Sequence, residues 1–148
     1  MVCHSVLKHI LLDRQWASEY RCRCFGGDSK PFYFSSKVEY RPDAVWETRR
    51  GKFWIIEVAD TEDQRAVVGE FFLACMIKNA VHFTAMVNEG REWIKPYLFQ
   101  AWTLLSELTS HRENGWNSLK YRPSLVVIPR RLGNDKNRIK SYLNRAWK

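Results

Sequence analysis

Two short stretches carry residues that could do chemistry together: Tyr40-Arg41-Pro42-Asp43, and Ile55-Ile56-Glu57-Val58-Ala59. Between them Thr48-Arg49-Arg50-Gly51 has turn chemistry, with a glycine available for positive φ. If the flanking segments pair antiparallel through that turn, positions whose numbers total about 99 face each other. Asp43 and Glu57 total about 100, so they fall opposite one another, and directly opposed residues have Cβ atoms about 5 Å apart. Two carboxylates that close repel unless they share a proton or a cation. Mg²⁺ and Mn²⁺ prefer such oxygen ligands. An ion held there can polarise a phosphate and lower the pKa of a bound water. Each residue also has a plainer reading. Pro-Asp is a common turn signal, and Glu57 could simply pair with an arginine. Yet Glu57 is flanked by Ile55, Ile56 and Val58, and a buried acid there needs compensation.

Those carboxylates need strands to hold them and helices to cover the strands. Apolar spacing predicts a first helix from Ser5 to about Tyr20, then a break at Gly26-Gly27-Asp28. Strands follow at Pro31–Val38, at Tyr40–Glu47 (interrupted by Pro42) and at Lys52–Ala59, the last apolar enough to be covered on both faces. Thr61 and Gln64 have capping-box spacing and predict a helix running to about Lys78. A strand at Val81–Val87, a helix from Arg91 to about Leu108, a strand at Ser124–Ile128 and a basic helix within Asn134–Trp147 complete the pass. The helix after Lys52–Ala59 supplies a crossover, so the following strand lies parallel. The expected fold class is α/β, a three-layer α/β/α sandwich with a mixed central sheet, in a single domain spanning residues 1–148.

The order of these motifs resembles the PD-(D/E)XK phosphodiesterase superfamily over roughly Ser5 to Val87, nearest its resolvase-like and transposon-endonuclease branches. The family pattern is Pro-Asp, a hairpin, then an acid, any residue and a lysine; Pro42-Asp43 and Glu57 match it. The resemblance implies a restriction-endonuclease-like fold, a Mg²⁺- or Mn²⁺-dependent DNA endonuclease, Asp43 and Glu57 as metal ligands, and Glu19 in the first helix completing the site. It also implies a homodimer, since cutting both strands needs two sites. The departure is Ala59, where the family has its lysine. Lys52 is about 17 Å back along the strand, and Lys78 is about 21 Å along the next helix, so neither substitutes. Lys37 and Arg41 adjoin the start of the Asp43 strand, and Gln64 in the first turn of the helix after Glu57 could orient a water. Asp60 and Asp63 are either extra ligands or helix-start acids. A catalytically inactive family member that binds DNA or a protein is the alternative that Ala59 supports, and a structural module with a solubilising tail is a third.

Charge points to a polyanion. The chain carries +8, and residues 120–148 hold all of it, nine Lys/Arg against Asp135, leaving the first 119 residues balanced at fifteen of each sign. Clustered cations gain free energy by releasing counterions from phosphates. Arg41, Arg130, Arg131, Lys136, Arg138 and Lys140 are the candidate contacts to DNA, and nothing in the sequence decides against RNA. No apolar run reaches the roughly 18 to 20 residues that span a bilayer, and no signal peptide is read, so the expected compartment is the cytoplasm, or the host-cell cytoplasm for a viral or plasmid protein. The cysteines Cys3, Cys22, Cys24 and Cys75 are expected as reduced thiols, Cys75 in the core. A zinc site from Cys3, His4, Cys22 and Cys24 lacks the usual spacing. His82 reads as a satisfied strand histidine.

Overall fold

The computed structural model describes residues 2–11, 20–25, 31–59, 63–109 and 119–147. Four helices, α1 (His4–Leu11), α2 (Gln64–Cys75), α3 (Lys95–Thr109) and α4 (Lys136–Ala146), surround seven strands: β1 (Tyr20–Phe25), β2 (Phe32–Ser35), β3 (Val38–Tyr40), β4 (Ala44–Thr48), β5 (Phe53–Val58), β6 (Ala80–Asn88) and β7 (Ser124–Ile128). Five strands form one mixed sheet in the order β1-β4-β5-β6-β7, and β2 and β3 form a separate hairpin. The β1–β4 and β4–β5 pairs are antiparallel, whereas the β5–β6 and β6–β7 pairs are parallel. The long crossover through α2 allows the parallel step, and α3 does the same between β6 and β7.

Alternation along the strands feeds two cores. Val45, Ile55, Phe83 and Ala85 face α2 and α3, meeting Val67, Phe71, Ala74 and Cys75 and then Leu98, Ala101 and Leu105. Trp46, Ile56, Val58 and Met86 face the other way, against Leu7, Ile10 and Leu11 of α1 and Ile139 and Leu143 of α4. The three- and four-residue spacing in each helix is that of a single buried stripe. Helices therefore cover both faces of a mixed sheet. Pro96 falls in the first turn of α3, where its missing N–H removes no helical bond.

Several sequence boundaries move. Tyr20 belongs not to a helix but to a strand, β1, whose short Arg-Cys alternation the helical spacing of the preceding residues overrides in the sequence. The Pro31–Val38 segment is a hairpin that turns at Ser36 and Lys37, with Phe32 facing Tyr40. The N-cap of α2 is Asp63, whose carboxylate accepts from the Arg65 and Ala66 amides, in place of the expected Thr61, which lies outside the described residues. The helix stops at Cys75 rather than near Lys78. The Gly26–Asp28 break and the far end of the expected first helix lie outside the described residues.

The candidate site of Asp43 and Glu57

The hairpin register is the one the turn implies: Ala44 faces Ile56, Val45 faces Ile55 and Trp46 faces Trp54. Gly51 takes φ +69°, the conformation that closes the turn. One step beyond the last backbone pair, Asp43 and Glu57 continue the pairing with their side chains. The Asp43 amide donates to Glu57 Oε2 at 3.2 Å, and the Val58 amide donates to Asp43 Oδ2 at 2.8 Å. Pro42 cannot donate to a ladder, and each carboxylate takes up a backbone donor of the opposite segment.

Two elements close on this pair. From the α1 side, His4 and Lys8 stand one turn apart; His4 Nε2 is 3.1 Å from Asp43 Oδ2 and Lys8 Nζ is 2.7 Å from Asp43 Oδ1. Their helix is anchored by Asn88 at the end of β6. Its Oδ1 accepts from the Val2 amide at 2.8 Å and its Nδ2 donates to the Val2 carbonyl at 3.1 Å. From the other side, the β2–β3 hairpin lays Phe32 on Phe53 with ring centroids 5.3 Å apart. It thereby delivers buried Tyr40, whose hydroxyl donates to Glu57 Oε1.

The environments drive the two acids apart. Burial works to raise the Asp43 carboxyl, but the hydrogen bonds from Lys8 and the Val58 amide, with the charges of Lys8 and His4, outweigh it and hold it below the usual range. Glu57 is only 4% exposed. Burial, and then the negative charges of Glu70 on α2 and of Asp43, push it well above the usual range despite the Tyr40 bond. Burial and the adjoining Glu57 raise Tyr40 as well. The surroundings thus favour the ionised form of Asp43 and disfavour that of Glu57.

The other sequence candidates are placed as follows. Glu19 and Asp60 lie outside the described residues. Ala59 is completely buried in the α2–α3 core, beside Val67 and Phe71. Lys37 is exposed in the β2–β3 turn and Gln64 is the first residue of α2; neither makes a hydrogen bond or ion pair to Asp43 or Glu57. Arg41 pairs with Glu39 at 3.0 Å. Arg130 and Arg131 sit in a short 3-10 turn after β7, and Lys136, Arg138 and Lys140 on α4. The structure brings together Asp43 and Glu57, and adds Lys8, His4, Tyr40 and Glu70, to none of which the motif reading gives a role beside the pair. The i, i+4 spacing of His4 and Lys8 is the sequence signal that could have found them.

His82 is not satisfied as expected. Its Nε2 is 3.5 Å from Ser124 Oγ, its Nδ1 is buried without a hydrogen-bond partner, and burial lowers its pKa. Cys75 is in the core, with burial pushing its thiol up to about 12. Among the described residues no three His, Cys, Asp or Glu side chains gather as a metal-holding group, and His4 is committed to Asp43. No helix of the described residues is long and apolar enough to cross a membrane.

No family model, curated protein or solved structure matches the chain.

Proposed function

We propose that this chain hydrolyses phosphodiester bonds of DNA at the Asp43–Glu57 pair, on a restriction-endonuclease-like sandwich, with Mg²⁺ or Mn²⁺. The observation that carries the reading is the Lys8 ammonium 2.7 Å from Asp43. It puts a basic group beside the ligand pair from α1, where the family pattern would bring one from position 59. The site's location agrees. Asp43 precedes β4 and Glu57 is the next-to-last residue of β5, so both lie toward the edge where the parallel strands β5, β6 and β7 terminate, the edge at which open α/β sheets bind ligands.

The donor set suits the ion. Mg²⁺ is commonly held by one or two carboxylates together with water and substrate phosphate, and the acidic neighbours that raise Glu57 are what a cation would relieve. Asp43 and Glu57 would hold it; Glu19 remains the third candidate. When bound, the ion supplies Lewis-acid polarisation of a phosphoryl oxygen and of water. The residues of the chain do the rest. Tyr40 and the Asp43 amide fix the two oxygens of Glu57. The Val58 amide and His4 fix Asp43 Oδ2. Lys8, on the remaining Asp43 oxygen, is positioned to orient the attacking water and to offset charge that develops on the phosphate.

Mn²⁺-dependent cleavage of plasmid and branched DNA tests the reading, with Glu57→Ala and Lys8→Met as the variants. Cleavage by the wild type that both substitutions abolish supports it. One observation favours the rival, an inactive member of the same fold that binds DNA: each carboxylate oxygen of the pair already accepts a hydrogen bond or ion pair within the protein. That rival predicts no cleavage and equal DNA binding in chelator.

A further inference from the structure

On the outer side of α4 lies a cavity of about 440 Å³, lined by Arg131, Leu132, Asn137, Arg138, Ser141 and Arg145. Three of its six residues are arginines and none is acidic. Among the described residues no carboxylate pairs with any of the three guanidinium groups, whereas Arg41 and Arg65 are each paired locally. Among the described residues, two acids near the cavity are engaged by backbone amides: Asp135 caps α4, accepting from the Asn137 and Arg138 amides, and Glu89 accepts from the Arg130 amide at 3.1 Å. The cavity therefore combines uncompensated positive charge, a hydroxyl and an amide in a concave surface. Arginine forks in such a setting match phosphate oxygens.

Its length points to more than one phosphate. Arg138 and Arg145 are seven residues apart on one helix, about 10 Å along its axis. The guanidinium groups at its two ends can therefore contact different phosphates of one strand. Its position points the same way. Arg131 follows β7 at the sheet edge that carries Glu57, and the Cys3 amide donates to Asn134 Oδ1 at 2.8 Å, tying the start of α1 to the loop before α4. We infer that this cavity is a second phosphate-binding site, which seats the sugar-phosphate backbone of a nucleic-acid strand along α4. This deepens the proposed function by naming where the flanking strand lies, and it rests on that reading only for the strand's continuation to Asp43 and Glu57.

The experiment is a salt titration of binding in chelator, where no metal-dependent cleavage occurs, using a labelled oligonucleotide as a single strand and as a duplex. The combined variant Arg131→Ala/Arg138→Ala/Arg145→Ala is compared with Lys52→Ala/Lys78→Ala/Lys120→Ala, which removes the same charge from exposed positions outside the cavity. Each phosphate contact contributes about 0.9 to the slope of log affinity against log salt on a duplex and about 0.7 on a single strand. The arginine variant is expected to lose about 2 to 3 of that slope while the lysine variant keeps the wild-type slope. Ser141→Glu, which leaves every arginine in place, is expected to weaken binding likewise and guards against a misfolded triple variant. Equal losses in the two triple variants, no binding of the wild type at about 50 mM salt, or equal affinity for anionic phospholipid vesicles would overturn the inference. Because binding is read without metal, failure of cleavage leaves this result standing, and failure here leaves the hydrolysis test untouched.

Discussion

At the scale of single residues, the site is two carboxyl groups whose pKa values are driven in opposite directions by what surrounds them. Lys8 bears on stability through its ion pair with Asp43 and, on the proposed reading, on cleavage as well. Lys8→Met leaves the Asp43 carboxylate, which is mostly buried, without its nearest cation. A loss of about 1 to 3 kcal/mol is expected from denaturant unfolding, with a fall in cleavage rate of about 10²- to 10⁴-fold if Lys8 serves the attacking water. Lys8→Arg restoring stability but not rate would separate the two roles. The pH dependence follows from the signs. The Glu57 carboxyl is raised in the folded state, so from its ordinary 4.5 upward the folded protein holds a proton that the unfolded chain releases, and stability falls as pH rises through that window. Asp43 is depressed, so its contribution is complete above the ordinary 3.8 and disappears as pH falls through its folded value. Stability measured by urea unfolding is expected to rise as pH is lowered from neutral toward 4.5 and to drop below about 4. Glu57→Gln should abolish the rise and keep the drop; a wild type and a Glu57→Gln protein with parallel profiles between pH 4.5 and neutral would sink this assignment.

At the scale of elements, what positions the pair is partly legible in the chain and partly not. The β4–β5 hairpin is legible because a four-residue turn with Gly51 fixes the register, and the register alone places Asp43 beside Glu57. Gly51→Ala meets no atom within 4 Å, so its cost is the backbone strain of φ +69° alone, about 1 to 2 kcal/mol. The buried stripe of α2 and the strands β5, β6 and β7 are legible for the same kind of reason: strong local periodicity bounded by turn residues. The β2–β3 hairpin is not, because Phe32, Tyr33 and Phe34 read as one continuous strand and nothing local marks the turn at Ser36 and Lys37. Nor is the N-cap of α2, since Thr61, Asp63 and Gln64 all suit a helix start and only the folded chain selects Asp63. The approach of α1 to Asp43 is the least legible feature. It depends on Asn88, 86 residues from Val2 in sequence, and no local pattern encodes so distant a pairing. Asn88→Leu should strand the buried Val2 amide and carbonyl, costing about 1 to 3 kcal/mol for each group left unpaired. Because it loosens α1, it should also impair cleavage more than a destabilisation of the same size placed in α3. Equal effects on activity from the two sites would mean that α1 contributes only to the fold.

At the scale of the whole molecule, the question is whether the basic C-terminal end is an appendage or part of the body. Its charge composition suggests a tail, since residues 120–148 hold the entire net charge. The packing says otherwise. β7 is hydrogen-bonded to β6 through five residue pairs, and Ile139 and Leu143 of α4 are fully buried in the core that α1 shares. The Tyr142 hydroxyl donates to the Val127 carbonyl at 2.6 Å, and Trp147 stacks edge-on against both Trp46 and Trp54. Removing α4 uncovers Ile139's and Leu143's partners and is expected to cost about 1.5 to 3 kcal/mol for each of the two side chains, before the aromatic contacts are counted. Against a typical total of about 5 to 15 kcal/mol, that is a large fraction. A chain ending at Gly133 should therefore lose its cooperative thermal transition, rather than behave as a stable body that has merely shed half of its net charge. The measurement is calorimetry of the shortened chain beside full-length protein carrying the three cavity arginine substitutions. A truncated chain that still melts cooperatively would make α4 a detachable tail. Loss of the transition on truncation, with the transition kept in the arginine variant, places the apolar face of α4 in the fold and leaves its arginine face to the ligand.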